Sequence, residues 1–203
     1  MNLSGTLEWR ESLAIPGKIG LAVSVACVTG LAAQLKIVLP WTPVPVTCQT
    51  LVVLLSAVLL GRCWAGASQI TYLLLGAAGV PWFGGWSSGL GVILGPTGGY
   101  LFGFILASLF LGYGSYRYPT ARKFWPMLGL MLLANFALIH IPGLCQLGLW
   151  CRLSSGASPS LVTLLSMGTV PFLVGDIIKV VAAASCARAL LPQKSRFPAD
   201  MAK

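Results

Sequence analysis

Charged residues are scarce in this chain, and acidic residues are almost absent. Only 8% of the 203 residues are charged, whereas a soluble domain carries about 25%. Four residues are acidic, and Asp176 is the only one between Glu11 and Asp200. This composition excludes an ordinary soluble domain. With 57% hydrophobic residues and a mean hydropathy of +0.87, the chain is predicted to be a multi-pass protein of the plasma membrane.

Three further absences limit the functions that the chain can have. His140 is the single histidine, and none of the six cysteines belongs to a Cys-x-x-Cys pair, so we expect no metal site and no cofactor. No G-x-x-x-x-G-K-S/T motif is present, so the chain cannot itself use ATP. The net charge of +9 does not indicate nucleic acid, because the basic residues stand at the ends of apolar stretches.

Six apolar stretches have the composition of membrane helices, which need about 20 residues each. They cover residues 18–39, 47–60, 64–80, 98–113, 124–150 and 159–191. The second is short, and we predict kinks at Pro142 in the fifth and at Pro171 in the sixth. The predicted fold class is an all-α membrane protein, a bundle of six transmembrane helices in one domain, residues 18–191.

The distribution of basic residues predicts the orientation of the bundle. Ten of them fall on one side of the predicted spans and two, Lys36 and Arg152, on the other. Because basic residues are enriched on the cytoplasmic side, both termini are expected there. Residues 1–17 and 192–203 are then cytoplasmic segments, and residues 1–17 are not expected to be a cleaved signal peptide.

Asp176 and Lys179 lie in the last predicted span, three residues apart and therefore on one face of a helix. Ionisable groups at membrane depth are costly and by default mark a function. Three interpretations are open: a clamp for a polar ligand in an outward-facing pocket, a structural ion pair that joins two helices, and a proton or ion relay. The clamp is favoured, because a buried pair adds little stability and no further carboxylate continues a relay.

The loop at residues 81–99, on the predicted outer side, is rich in glycine yet keeps many apolar and aromatic residues. A solvated linker would be polar, so we expect this loop to fold back over the bundle. Phe83, Gly84, Gly85 and Trp86 are predicted to line a pocket, where glycine lets backbone groups approach a ligand. The alternative for the aromatic residues is a belt at the membrane surface.

Three other polar side chains fall in or beside the predicted spans. Gln49 and Tyr100 stand at the outer starts of the second and fourth spans. Both are predicted to reach a pocket under the outer loops, or else to hydrogen-bond a neighbouring helix. His140 is alone in the fifth span, and we expect it to pack inside the bundle rather than contact a ligand.

The first span carries small residues at four-residue spacing: Ala22, Ala26 and Gly30. Small residues at this spacing let another helix approach closely. That helix belongs either to another protein or to the same chain, and the spacing alone allows both.

Four ordered motifs resemble those of one family. Residues 43–51, PVPVTCQTL, resemble its P-V-P-I-T-x-Q-T-L, and residues 76–83, GAAGVPWF, resemble its G-A-x-G-x-P-V-F. Residues 89–100, GLGVILGPTGGY, resemble G-L-G-x-L-x-G-P-T-G-G-Y, and residues 171–179, PFLVGDIIK, resemble P-F-x-x-G-D-x-x-K. Together they are similar to the BioY family, the biotin-specific substrate-binding (S) components of energy-coupling-factor (ECF) transporters.

The resemblance implies a six-helix S-component bundle that binds biotin near the outer face and is not an enzyme. It implies that Asp176 accepts the ureido N–H groups of biotin, and that Lys179 meets either the ureido carbonyl or the carboxylate. It also implies a transmembrane coupling (T) protein, docked on Ala22 and Ala26 and driven by two ATPase subunits, although some members work without a dedicated coupling module. An S component for another vitamin, an intramembrane enzyme and a structural subunit are the competing interpretations.

Overall fold

The computed structural model describes residues 12–191, and most of them are helical. The α-helices are α1 (Ile15–Gln34), α2 (Gln49–Ala77), α3 (Leu90–Leu94), α4 (Gly98–Arg117), α5 (Phe124–Leu133), α6 (His140–Ser155), α7 (Leu161–Gly168) and α8 (Leu173–Leu190). Between α1 and α2 lies an antiparallel ribbon of two short strands, β1 (Lys36–Ile37) and β2 (Val46–Thr47), in which Lys36 pairs with Thr47.

Five segments of the described chain are long and apolar enough to cross a membrane. They are Ile15–Gln34, Gln49–Ala77, Gly98–Arg117, Phe124–Ser155 and Leu161–Leu190. They overlap all six predicted spans, and the second and third predicted spans are joined in α2. The first predicted span, residues 18–39, extends too far, because α1 ends at Gln34 and Lys36–Ile37 form β1. The predicted end segments, residues 1–17 and 192–203, lie outside the described residues except for 12–17, so their cytoplasmic location stays a prediction.

The helix α2 reverses direction at Gly61. This glycine has φ 73° and ψ 173°, a conformation outside the helical region that glycine adopts without a steric penalty. The side chain of Gln49 donates a hydrogen bond to the Tyr72 hydroxyl at 2.9 Å, although a continuous helix would hold these residues about 34 Å apart. The two halves of α2 therefore run antiparallel and pack side by side.

Two other long segments contain irregular turns. Residues Ala134–Ile139 form a π-helical turn between α5 and α6, so the irregular turn precedes Pro142 instead of falling at it. Residues Val170–Phe172 form a 3-10 turn between α7 and α8, and this interruption contains Pro171, as predicted. Proline favours such a break because its ring lacks the N–H that a continuing helix requires.

Close helix contacts in the core depend on two glycines of α4. A Cβ atom at Gly112 would meet the backbone of Gly61 and Arg62, and its distance to the Arg62 Cα would be 2.6 Å. At Gly103 it would lie 2.6 Å from the Ile139 Cα. Glycine at these positions therefore lets α4 lie directly against the reversal of α2 and against the π-helical turn.

The outer surface of the bundle is apolar. Val174 on α8 is 73% exposed and Leu153 on α6 is 77% exposed. A water-soluble protein rarely shows contiguous apolar surface on this scale, whereas a bilayer solvates such side chains favourably. The exposure pattern agrees with the composition in indicating a helical membrane protein.

Replacing Gly112 with alanine is expected to lower the free energy of unfolding by about 1–3 kcal/mol, as overpacking does in tight cores. The added methyl group would press on the backbone at Gly61 and Arg62, which cannot move aside as a flexible side chain can. Thermal unfolding in detergent measures the loss. Gly129→Ala is the matched control, because a Cβ atom there meets nothing within 4 Å; equal stability of the two variants would contradict the packing argument.

Candidate functional site

A cavity of about 310 Å³ lies at the end of the bundle where α1 ends and where α2 and α4 begin. Its lining combines polar side chains with aromatic rings. The main polar residues are Lys36, Thr47, Gln49, His140, Asp176 and Lys179. The aromatic residues are Tyr72, Phe83, Tyr100, Phe104 and Phe172.

Asp176 is the most deeply buried charged group of the cavity, with 1% of its surface exposed. Its Oδ2 atom accepts a hydrogen bond from Asn135 Nδ2 at 2.8 Å and lies 2.9 Å from His140 Nε2. An ionised carboxylate can only accept, so His140 must carry its proton on Nε2. The other His140 nitrogen, Nδ1, is 3.4 Å from the Thr169 hydroxyl. Two neighbours from other segments thus hold Oδ2.

The second carboxylate oxygen of Asp176, Oδ1, has fewer contacts than Oδ2. The ammonium of Lys179 lies 2.6 Å from Oδ1, and no other donor within the described residues reaches that atom. The same ammonium donates a hydrogen bond to the Thr47 carbonyl at 2.8 Å. Lys179 therefore connects α8 with β2, and the ion pair itself lies within α8 instead of joining two helices.

The π-helical turn explains why Asn135 and His140 reach the same oxygen. Residues five apart point to different sides of a regular α-helix, which has 3.6 residues per turn. A π-helical turn inserts one extra residue per turn, and Ala134–Ile139 adopts this geometry. Asn135 and His140 therefore share a face, directed at Asp176.

Aromatic side chains form the less polar part of the lining. The ring of Phe83 packs edge-on against Tyr72, with centroids 5.3 Å apart. The rings of Tyr100 and Phe172 lie 6.1 Å apart, and the Tyr100 hydroxyl donates to the Gly168 carbonyl at 2.8 Å. These contacts hold rigid apolar surfaces beside the charged cluster.

One side chain, Gln34 at the end of α1, holds the loop from which Phe83 and Gly84 line the cavity. Its Nε2 atom donates to the carbonyls of Trp82 at 3.2 Å and Phe83 at 3.1 Å. Its Oε1 atom accepts from the backbone N–H groups of Gly85 at 3.1 Å and Trp86 at 2.9 Å. Trp86 has a φ of 59°, which is uncommon for a residue with a side chain, and the Gln34 contact stabilises this turn.

The structure brings six of the eight predicted ligand-binding residues to the cavity: Gln49, Phe83, Gly84, Tyr100, Asp176 and Lys179. Gly85 and Trp86 do not line it, and Trp86 is 64% exposed, as a residue of a surface belt would be. His140 packs inside the bundle, as expected, with 3% of its surface exposed. It also lines the cavity and contacts Asp176. Two residues of the site were not predicted: Lys36, which lines the cavity, and Asn135, which donates a hydrogen bond to Asp176. No local sequence pattern indicates either role.

The small residues of α1 pack inside the chain. Ala22 is 4% exposed and Ala26 is fully buried. A Cβ atom at Gly30 would lie 2.9 Å from the Cβ of Trp82. All three are buried in this conformation, which agrees with packing within the chain. Their role at a partner interface stays a prediction.

The fold and the site define a multi-pass helical membrane protein with a solute-sized cavity at one end. A model described as the BioY family matches residues 8–196, and the chain belongs to the BioY family. A protein of Methanothermobacter thermautotrophicus named as a probable biotin transporter BioY is 55% identical over 140 residues, 69% of this chain and 89% of that protein. The biotin transporter BioY of Thermotoga maritima is 36% identical over 146 residues, 72% of this chain and 80% of that protein.

A solved structure shares the fold. It is described as the S-component for biotin from an ECF-type ABC transporter, and it aligns with a TM-score of 0.75 at 22% identity. The alignment covers 88% of this chain and 94% of that one. Together with the family and the apolar helices, this identifies a multi-pass protein of the plasma membrane with an S-component fold.

Replacing Lys179 with methionine is expected to destabilise the protein, because Asp176 would keep a buried charge without its cation. Breaking a buried ion pair in this way costs about 3 kcal/mol. Adding Asp176→Asn to the same chain should recover most of the loss. Thermal unfolding in detergent, followed by circular dichroism, measures both, with the exposed Lys123→Met as control; wild-type stability of Lys179→Met would contradict the assigned role of the pair.

Proposed function

We propose that the chain binds biotin in the cavity beside Asp176 at the outer face of the membrane. We further propose that it takes part in biotin uptake as the S component of an ECF transporter. The observation that carries the proposal is the buried Asp176 carboxylate, with one oxygen, Oδ1, that only Lys179 contacts among the described residues. The relatives named as biotin transporters support the choice of ligand.

The chemistry of biotin matches the cavity. Its ureido ring offers N–H donors and a carbonyl acceptor, which suit the Asp176 carboxylate and the Lys179 ammonium. Its fused ring and valerate chain are apolar and suit the surfaces of Tyr72, Phe83 and Phe172. The cavity volume of 310 Å³ is at the small end of the range of about 300–1,000 Å³ typical of ligand pockets, as expected for a small vitamin.

Lys36 is the remaining cation of the cavity, and we assign it to the valerate carboxylate. It lies on β1 opposite Thr47, whose carbonyl binds Lys179, so the two lysines flank the ribbon. Lys36 is exposed, which places it on the solvent side of the buried cluster. In this arrangement Lys179 meets the ureido carbonyl and Lys36 meets the carboxylate.

We infer six membrane crossings with both termini in the cytoplasm. The reversal of α2 at Gly61 supports six crossings, because its two antiparallel halves can each cross once. The charge distribution supports the orientation. The described basic residues at the end away from the cavity are Lys18, Arg62, Arg117, Arg122, Lys123 and Arg188, and those at the cavity end are Lys36, Arg152 and Lys179.

The energy for active uptake must come from a partner or from a gradient, because the sequence contains no nucleotide-binding motif. We propose a transmembrane coupling protein and two ATPase subunits. Since Ala22 and Ala26 are buried, the coupling protein would contact the opposite, exposed face of α1, where Gly20, Ser24 and Cys27 are also small and suitably spaced. A solitary transporter without a dedicated module and an S component for a different vitamin are the alternatives.

Replacing Asp176 with asparagine is expected to weaken biotin binding about a hundredfold, because hydrogen bonds to a charged group contribute about 1.5–3 kcal/mol each. Some stability is also lost, because Lys179 loses its counter-ion, but its bond to the Thr47 carbonyl remains and the variant should still fold. Equilibrium binding of labelled biotin to the purified protein measures the change, and Ser185→Ala, on the exposed side of the same helix, is the control. Wild-type affinity in folded Asp176→Asn protein would exclude the assigned role.

Replacing Lys36 with glutamine is expected to weaken biotin binding about fivefold, since an exposed ion pair contributes up to about 1 kcal/mol. Biotinamide, which lacks the carboxylate charge, should bind equally well to the variant and the wild type. Parallel titrations of the two ligands make this comparison. An equal loss for both ligands would assign Lys36 to the shape of the cavity and not to the carboxylate.

A further inference from the structure

A second cavity, of about 380 Å³, lies at the opposite end of the bundle. Lys18 near the start of α1 lines it, together with Arg62 and Trp64 after the reversal of α2 and Tyr113 and Tyr116 near the end of α4. Lys18 and Gln34, at the two ends of α1, are about 24 Å apart along the helix axis. The two cavities are therefore separate and face opposite membrane surfaces.

The second cavity is positively charged without a carboxylate in its lining. Lys18 and Arg62 both face it, and Asp176, the single acidic side chain among residues 12–191, belongs to the other cavity. The Arg62 guanidinium carbon lies 5.7 Å from the centroid of the Tyr113 ring. This cation–π contact positions the guanidinium, and no carboxylate of residues 12–191 lines the cavity, so the cavity is electrostatically suited to an anion.

The surroundings of the cavity match the depth of lipid head groups. Its lining comes from the ends of apolar segments, where the bilayer core gives way to the interface. Trp64, Tyr113 and Tyr116 are of the types that favour this interface. Basic pockets between transmembrane helices on the cytoplasmic side bind anionic lipid head groups, and the proposed orientation places this end in the cytoplasmic leaflet.

We propose that this cavity binds the phosphate of an anionic phospholipid of the inner leaflet. Lys18 and Arg62 bind the phosphate oxygens, and Trp64 lies against the glycerol and the first carbons of an acyl chain. The bound lipid thereby stabilises the reversal of α2, because Gly61 and Gly112 line the same cavity. The inference rests on the proposed orientation and not on the identity of the ligand in the first cavity.

The test uses the full-length protein, delipidated in a neutral detergent, and native mass spectrometry with titrated phosphatidylglycerol. We expect saturable binding of one tight lipid that phosphatidylcholine does not displace. Lys18→Gln and Arg62→Gln should each weaken it about fivefold, since each basic residue contributes about that much near an anionic surface. Lys123→Gln, which removes an exposed lysine outside the cavity lining, should leave it unchanged.

Four results would overturn the proposal. The first is that phosphatidylcholine binds as tightly as phosphatidylglycerol. The second is that the double variant Lys18→Gln, Arg62→Gln binds phosphatidylglycerol with wild-type affinity while its melting temperature shows that it is folded. Inorganic phosphate could displace the lipid at equal concentration, which would make the cavity a site for free anions. Binding that appears only after Glu8 and Glu11 are both changed to glutamine would assign the cavity to the N-terminal segment. None of these measurements uses biotin, so failure here is distinct from failure of the proposed function.

Discussion

The structure depends on keeping one carboxylate, that of Asp176, inside a membrane domain. An ionised carboxylate in an apolar interior is very costly unless hydrogen bonds and an opposite charge compensate it. Asn135, His140 and Lys179 supply that compensation. They belong to the π-helical turn, α6 and α8, so Asp176 is stabilised only when these segments pack together. The other oxygen, Oδ1, is contacted only by Lys179 among the described residues and can still accept a hydrogen bond from a ligand.

A short series of contacts connects Asp176 and Lys179 with the loop that contributes Phe83 and Gly84 to the cavity. Lys179 binds the carbonyl of Thr47 on β2, which pairs with Lys36 on β1. Two residues before Lys36, Gln34 ends α1 and holds residues 82–86 of the loop through four hydrogen bonds. A ligand that hydrogen-bonds to Asp176 and Lys179 and also contacts Phe83 in the loop would therefore act on both α8 and α1. Through this connection, ligand binding in the cavity can change the position of α1. The exposed face of α1 is where the coupling protein is proposed to dock.

The sequence predicted the charged part of the site better than its neighbours. Asp176 and Lys179 are recognisable because a charged residue inside an apolar span usually has a function. Pro171 is recognisable because proline interrupts a helix, and the 3-10 turn between α7 and α8 contains it. Asn135 and His140 are five residues apart, and only a π-helical turn, which the sequence does not mark, puts them on one face. Trp86 points outward because backbone bonds to Gln34 determine the turn. The spacing of Ala22 and Ala26 predicts a close helix contact correctly but cannot say that the contact is within the chain.

The central claim is that the cavity beside Asp176 is a biotin site, and calorimetric titration of biotin into wild-type protein tests it most directly. The protein must first be stripped of any ligand that co-purifies with it. The account predicts saturable heat with one biotin per chain and no competition from thiamine or riboflavin in excess. Absence of heat and of thermal stabilisation, from protein shown to be folded, would contradict the ligand assignment and leave the S-component fold without its proposed substrate.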